Sequence, residues 1–334
     1  MKYQNVLDDK KVQCLVCPKE CILNEEQSGF CHVRKNIGGQ VELTTYGYNT
    51  GLNVDPVEKK PLYHFYPTTK VLSLGTLGCN MGCVFCQNAH LSRSKDDPSK
   101  YTYASPEDIV DVALKNNCIS IAYTYNDPVI FYEYAKDTAK IAREHGIKNI
   151  AVTAGFMNPQ IYEDFFEYID AVNIDLKAFN NDFYKRNCLA ELEPVLETIK
   201  YAANNTDTWV ELTTLLIEGE NDSKDEIKKE CEWIISNIGE HVPLHFSAFF
   251  PAGKFSNKKP TNPQTLYNAY KMAEDIGLKY VYTGNLASVA TSTTHCENCR
   301  NDIIVRDGYR VLEYNLEKDG FCRFCGHKCH GCFE

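Results

Sequence analysis

Long apolar runs are missing from this chain. Nowhere in its 334 residues does a hydrophobic stretch reach the length needed to cross a bilayer as a helix. The opening MKYQNVLDDKKVQC carries charges with no apolar core behind them, so no secretory signal is expected and the expected location is the cytoplasm. Positive charge is also in short supply. The 35 Lys and Arg face 45 Asp and Glu, a formal net charge of −10, which weighs against membrane or nucleic acid as the default partner. Internal repeats and low-complexity tracts are absent. What remains is a globular composition, 43% apolar and 24% charged, long enough for one large domain with small attachments.

Cysteine, by contrast, is abundant. Thirteen of the 16 fall in three clusters, and only Cys118, Cys188 and Cys231 stand alone, as expected of small buried hydrophobes. A reducing compartment disfavours disulfides, so clustered cysteines read as metal ligands. Cys14, Cys17, Cys21 and Cys31 form a set near the start. Cys79, Cys83 and Cys86 form a second, and Cys296, Cys299, Cys322 and Cys325 a third, followed by Cys329, His330 and Cys332.

Between about 70 and 290, short apolar runs alternate with helical patterns. The runs are VLSLGT (71–76), SIAYTY (120–125), NIAVTA (149–154), AVNIDL (171–176), WVELTTLL (209–216), PLHFSAFF (243–250) and KYVYTG (279–284). Ser105, Pro106 and Asp108 mark a helix start, and Gly146 and Gly277 mark helix ends. Strands separated by helices predict a parallel sheet, either an incomplete β/α barrel or an open doubly wound sheet. The expected division is a Cys-rich segment over 1–66, the α/β body over 67–290 and a Cys-rich module over 291–334. In that module a hairpin is predicted from IIV and YRVLEY, joined at RDG.

The middle cluster has the spacing C-x3-C-x2-C, with Phe85 before its last cysteine, and it follows the first strand of the α/β body. Three thiolates can hold three corners of a [4Fe–4S] cube, leaving one iron open to another ligand. A zinc loop borrowing a fourth ligand is the alternative. The C-terminal edge of a parallel sheet is where such folds place their chemistry.

GTLGCNMGCVFCQN resembles the signature of the radical S-adenosylmethionine (SAM) superfamily. Together with DPVEKKPLYHFYP, AYTYNDPVIFYEY, NIDLKAF, ELTTLLIEGEND and PLHFSAFFP, it resembles the radical SAM enzyme of the AmmeMemoRadiSam system, related to glycyl-radical (pyruvate formate-lyase) activating enzymes. The resemblance implies a partial parallel β/α barrel of the radical SAM type. It also implies a [4Fe–4S] cluster on Cys79, Cys83 and Cys86, and SAM chelating the open iron. Reductive cleavage would then give methionine and a 5′-deoxyadenosyl radical that takes hydrogen from a substrate. The implied partners are a reductant such as ferredoxin or flavodoxin and a protein substrate; a small molecule or RNA is the alternative.

It further implies SAM contacts at Phe85, Asn126, Asp127, Thr153, Asp175, Lys177 and His245, although a strand histidine such as His245 also reads as a satisfied structural residue. Gln87 and Asn88, just after Cys86, read either as contacts to adenine or the cluster or as helix caps. On residues alone, Asn126 and Asp127 read equally as an Asx–Pro turn. Asp175 and Lys177 share a strand face, which suits a ribose hydroxyl and a carboxylate. The chain reads AFFP where the resembling family has RFHP, so Phe249 and Phe250 inherit no role.

The two C-x2-C pairs of the tail have zinc-ribbon spacing and predict a closed zinc site. Cys329, His330 and Cys332 add a second metal site, turn the tail into an Fe–S site, or belong to a disordered end. The first set fits zinc or a second Fe–S cluster, with zinc preferred as a staple for a small segment. A non-catalytic metal-binding adaptor or electron carrier would account for both ends, but not for three ligands on a strand end.

Overall fold

A computed structural model describes residues 2–333. The central sheet has eight strands: β1 (Leu52–Pro56), β2 (Lys70–Leu74), β3 (Ser120–Tyr123), β4 (Lys148–Thr153), β5 (Ala171–Asp175), β6 (Trp209–Leu216), β7 (Leu244–Ala248) and β8 (Val281–Gly284). They stand side by side in chain order, and the edge strands β1 and β8 do not pair. Strands β2 to β8 are parallel; β1 alone runs antiparallel, against β2. The seven apolar runs are thus the seven parallel strands of an incomplete barrel. They read as continuous apolar runs because both faces are covered, and all four residues of β3 are buried.

Helices α1 (Pro106–Lys115), α2 (Tyr132–Glu144), α3 (Tyr162–Phe166), α4 (Glu193–Asn205), α5 (Lys224–Ile238) and α6 (Pro263–Ile276) supply the crossovers. Helix α1 starts where Ser105 and Asp108 cap each other reciprocally, and it buries Ile109, Val110 and Ala113 against the sheet layer. Among the described residues, no helix is long and apolar enough to cross a membrane.

The segment before β2 enters the barrel from the N-terminal ends of the strands. Tyr63 and His64 donate their backbone N–H groups to Glu211 of β6, at 3.0 and 2.8 Å. Asn173 of β5 donates to the Pro61 carbonyl at 2.9 Å. The Tyr63 ring packs 4.8 Å from His245 and from Tyr282. This layer closes one end of the barrel and leaves the other open.

The tail docks on this plug through β9 (Thr294–His295), β10 (Asp302–Asp307) and β11 (Arg310–Tyr314), an antiparallel sheet containing the predicted hairpin. Fully buried Arg306 donates to the Tyr63 carbonyl at 2.7 Å and to Thr294 Oγ1 at 2.8 Å, its guanidinium 4.3 Å from the Tyr63 ring. Near the start, a three-stranded sheet (Gln4–Val6, Val12–Cys14, Ile22–Leu23) and a hairpin (Arg34–Ile37 with Gln40–Leu43) pack on the body. Buried Arg34 makes a bidentate pair with Glu133 of α2, at 2.9 and 2.6 Å, which fixes this segment to the barrel. All sixteen cysteines are free thiols.

Candidate active site

The loop after β2 brings Cys79, Cys83 and Cys86 to the open end of the barrel, and it is held from several sides. Gly78 has φ +83°, and a Cβ there would stand 2.2 Å from the Cys31 carbonyl oxygen, so only glycine fits. Gly82 and Val84 donate N–H groups to the carbonyls of Cys188 and Asn187, both at 2.8 Å. Lys254 donates to the Val84 carbonyl at 2.6 Å. From the end of β3, Asn126 accepts from the Thr76 N–H at 3.2 Å and donates to the Gly78 carbonyl at 3.0 Å. The ring of Phe85 is buried against Phe183 and Phe255. The three thiols are therefore positioned by backbone contacts that need no ligand.

All three cysteines line one cleft of about 280 Å³. Its other walls come from the C-terminal ends of successive strands: Tyr125, Asn126 and Asp127 after β3, Asp175 and Lys177 at β5, Thr213 of β6, Ser247 of β7 and Asn285 after β8. Lys177 Nζ lies 2.7 Å from Asp175 Oδ2. Burial works against the Lys177 ammonium, but Asp175 and Cys83 outweigh it and hold its pKa above that of an ordinary lysine. Thr213 Oγ1 is buried and has no hydrogen-bond partner among the described residues. A native site rarely leaves such a group unmatched unless something else satisfies it.

Asp127 accepts from the Val129 N–H (3.1 Å), Thr153 Oγ1 (2.8 Å) and the Ala154 N–H (2.9 Å). It joins the ends of β3 and β4 and forms the Asx–Pro turn while lining the cleft. Burial raises its pKa despite these three donors. Of the residues implied by resemblance, Phe85, Asn126, Asp127, Asp175 and Lys177 line the cleft together, as do Gln87 and Asn88. Thr153 and His245 are not among the lining residues. Thr153 supports Asp127, and His245 lies one layer lower with Nε2 2.7 Å from Glu211. Residue-level reading passed over Thr213, Ser247, Asn285, Lys59 and Tyr309, all of which line the cleft. Thr213 and Ser247 lay within recognised strands; Tyr309 arrives from the tail hairpin and left no local signal.

The outer sets differ from each other. In the tail, Cys296 and Cys325 stand 3.6 Å apart and Cys299 and Cys322 3.7 Å apart, and all four sulfurs lie within 4.8 Å of one another. A tetrahedral zinc with Zn–S near 2.3 Å needs sulfurs about 3.8 Å apart. Among the described residues, neither Cys79, Cys83 and Cys86 nor any three of Cys14, Cys17, Cys21 and Cys31 come this close. Beyond the ribbon, the Cys332 N–H donates to the His64 carbonyl at 2.7 Å, and His330 stacks on His241 with ring centroids 3.8 Å apart. That end therefore has defined partners.

Residues 74–231 match the model of the radical SAM superfamily. The chain belongs to that superfamily. Relatives in sequence include uncharacterized protein MJ0808 of Methanocaldococcus jannaschii, 42% identical over 96% of each chain. The probable dual-specificity RNA methyltransferase RlmN of Shouchella clausii is 26% identical over 59% of this chain, and the match spans only 56% of RlmN. Among solved structures, SuiB of Streptococcus suis bound to precursor peptide SuiA superposes with a TM-score of 0.51 at 15% identity, over 69% of this chain and 51% of SuiB. That likeness is one of fold.

The cleft fits the superfamily's cofactors. Three thiols line the cleft, while Cys188, in side-chain contact with Cys83, does not line it; three thiolates suit a cluster with one iron unclaimed. Facing them are a cation, a carboxylate and an orphaned hydroxyl, the donor set that a zwitterionic ligand with a ribose requires.

Proposed function

We propose that this chain is a radical SAM enzyme acting on a protein substrate, a relative of the AmmeMemoRadiSam radical SAM enzymes. Cys79, Cys83 and Cys86 would hold a [4Fe–4S] cluster, and Asp175, Lys177 and Thr213 would hold SAM. The observation that carries this reading is the two-sided cleft, with thiols on one wall and the Lys177–Asp175 pair and the unmatched Thr213 hydroxyl on the other. When bound and reduced, the cluster and SAM supply a 5′-deoxyadenosyl radical able to take a hydrogen atom.

The chain's own part is to bind, orient and shield. Lys177 presents a cation that Asp175 keeps charged against the cost of burial, suited to the SAM carboxylate. Asp175 steadies that cation and can accept from a ribose hydroxyl. The side chains of Asn126 and Asp127 are occupied in holding the loop and the strand ends, so they position the site. The packed rings of Phe85, Phe183 and Phe255 exclude water behind the thiols. Tyr309 brings an aromatic ring from the tail to the cleft.

The peptide-bound relative in fold and the acidic balance of the chain support a protein substrate. The sequence relationship to RlmN favours RNA as a second reading. The same proposal puts zinc on Cys296, Cys299, Cys322 and Cys325, takes a ferredoxin or flavodoxin as reductant, and keeps the division at 1–66, 67–290 and 291–334 in a cytoplasmic enzyme.

Fractionated cell extract tests the substrate class. Reconstituted enzyme, SAM and reductant are incubated with each fraction and 5′-deoxyadenosine is measured. Stimulation that protease destroys and ribonuclease spares is the expected result. Stimulation that ribonuclease alone destroys would replace the protein substrate with RNA.

A further inference from the structure

The first cysteine set has no role in the chemistry above, yet its surroundings are specific. Cys14, Cys17, Cys21 and Cys31 line one cavity, together with Arg34 and Asn80. Their sulfurs are spread more widely than those of the tail. Both sets offer four thiols, but only the tail set is drawn to the spacing of a single tetrahedral ion. A four-iron cube is larger than one ion and holds its four thiolates further apart. Other features suit a cluster. The Phe30 N–H donates to Cys21 Sγ at 3.4 Å, and buried Arg34, paired with Glu133, lines the cavity beside the four thiols.

Position then gives the cavity a purpose. Asn80, the residue after Cys79, lines it. Gly78, the residue before Cys79, packs so closely on the Cys31 carbonyl that no side chain fits between them. The first cysteine set and the central loop share one wall, Gly78–Asn80.

We infer that Cys14, Cys17, Cys21 and Cys31 hold a second [4Fe–4S] cluster, which passes electrons across the Gly78–Asn80 wall to the cluster on Cys79, Cys83 and Cys86. Protein thiolates occupy all four corners, so this second site has no place for SAM and makes or breaks no bond. One electron enters from a low-potential donor of the ferredoxin or flavodoxin class. It leaves the second cluster oxidised as the first is reduced. The relay rests on the radical SAM reading; the identity of the metal does not.

The test uses the full chain, reconstituted anaerobically with iron and sulfide in the presence of zinc. Wild type should carry about eight irons and about one zinc per chain. The double variant Cys17→Ser/Cys21→Ser should keep about four irons and the same zinc. About four irons and two zincs in wild type, with one zinc lost in the variant, would overturn the assignment. Should the double variant fail to fold, electron paramagnetic resonance of reduced wild type decides. Two cluster signals are expected, of which SAM perturbs one; a single signal contradicts the second cluster. Cys83→Ala separates the two claims, because it should lose the SAM-sensitive signal and keep the other. The relay predicts that flavodoxin-driven 5′-deoxyadenosine formation, divided by the dithionite-driven rate, falls at least tenfold in Cys17→Ser/Cys21→Ser. An unchanged ratio refutes the relay.

Discussion

The tail and the central loop both carry cysteine pairs with two residues between them, yet they finish differently. In the tail, two pairs flank a hairpin, and the antiparallel strands fold one pair back onto the other until the sulfurs stand 3.6–3.7 Å apart. Nothing is left over for a further ligand. In the central loop, the cysteines hang on the end of a parallel strand, and the opposite side is a cleft built by six other strands or their following loops. The same local spacing thus gives a closed site or an open one. The element that carries it decides, because a hairpin returns with more ligands and a parallel strand end does not.

Exchanging damage between the two regions sharpens the comparison most. Cys83→Ala should reduce SAM-derived 5′-deoxyadenosine by at least about 10³-fold, an effect of the size seen when a central catalytic group is removed, while zinc analysis still finds the tail occupied. Cys299→Ser should do the converse, releasing zinc and lowering the melting temperature while the central iron remains, because binding to a structural metal site is coupled to folding. Loss of central iron in Cys299→Ser would erase the distinction.

The next effect lies within the cleft. Lys177→Met removes a charge-assisted contact worth roughly 1.5–3 kcal/mol, so SAM affinity should fall about 10- to 100-fold with iron content unchanged. Equilibrium binding to the reconstituted protein measures it.

Smaller effects come from two neighbours on β6 that serve different layers. Thr213 lines the cleft, whereas Thr214 donates to buried Glu230 on α5. Burial raises the Glu230 carboxyl to about 8, the Thr214 hydroxyl partly offsetting it. Its folded pKa thus exceeds the unfolded value of 4.5, so the protonated form favours folding. That stability is fully present below pH 4.5 and is lost as pH rises toward 8. Glu230→Gln should flatten the fall in melting temperature between pH 5 and 8, seen by thermal denaturation, and leave SAM binding unchanged. Thr213→Ala should weaken SAM binding a few-fold and leave that pH profile alone.

Much of this was legible in the chain. The seven parallel strands announced themselves as apolar runs because both their faces are buried, and Ser105 with Asp108 marked a helix start that the structure has. The three cysteine sets were visible from spacing alone. Other features were hidden for physical reasons. Strand β1 reads as a Pro-punctuated connector because it is a short edge strand ending at Pro56, half-exposed and without a clear period. The hairpin Arg34–Leu43 did carry a signal, Gly38–Gly39 at its turn, both with positive φ.

Height along a strand was the hardest quantity to read. His245 and Ser247 share one face of β7, about 6.6 Å apart along the strand. The lower one meets Glu211 of β6, which also holds the plug, and the upper one reaches the cleft. Alternation gives the face but not the layer. Tyr309 was out of reach altogether, since its place in the cleft depends on where Arg306 anchors the tail.

The central claim is that the polypeptide leaves one iron of the central cluster unclaimed. Mössbauer spectroscopy of the ⁵⁷Fe-reconstituted Cys17→Ser/Cys21→Ser variant, with and without SAM, tests it most directly. The account predicts that one iron site changes its parameters when SAM is added while the others stay as they were. A spectrum that SAM leaves untouched, or a central loop that takes up zinc in place of iron, would contradict it.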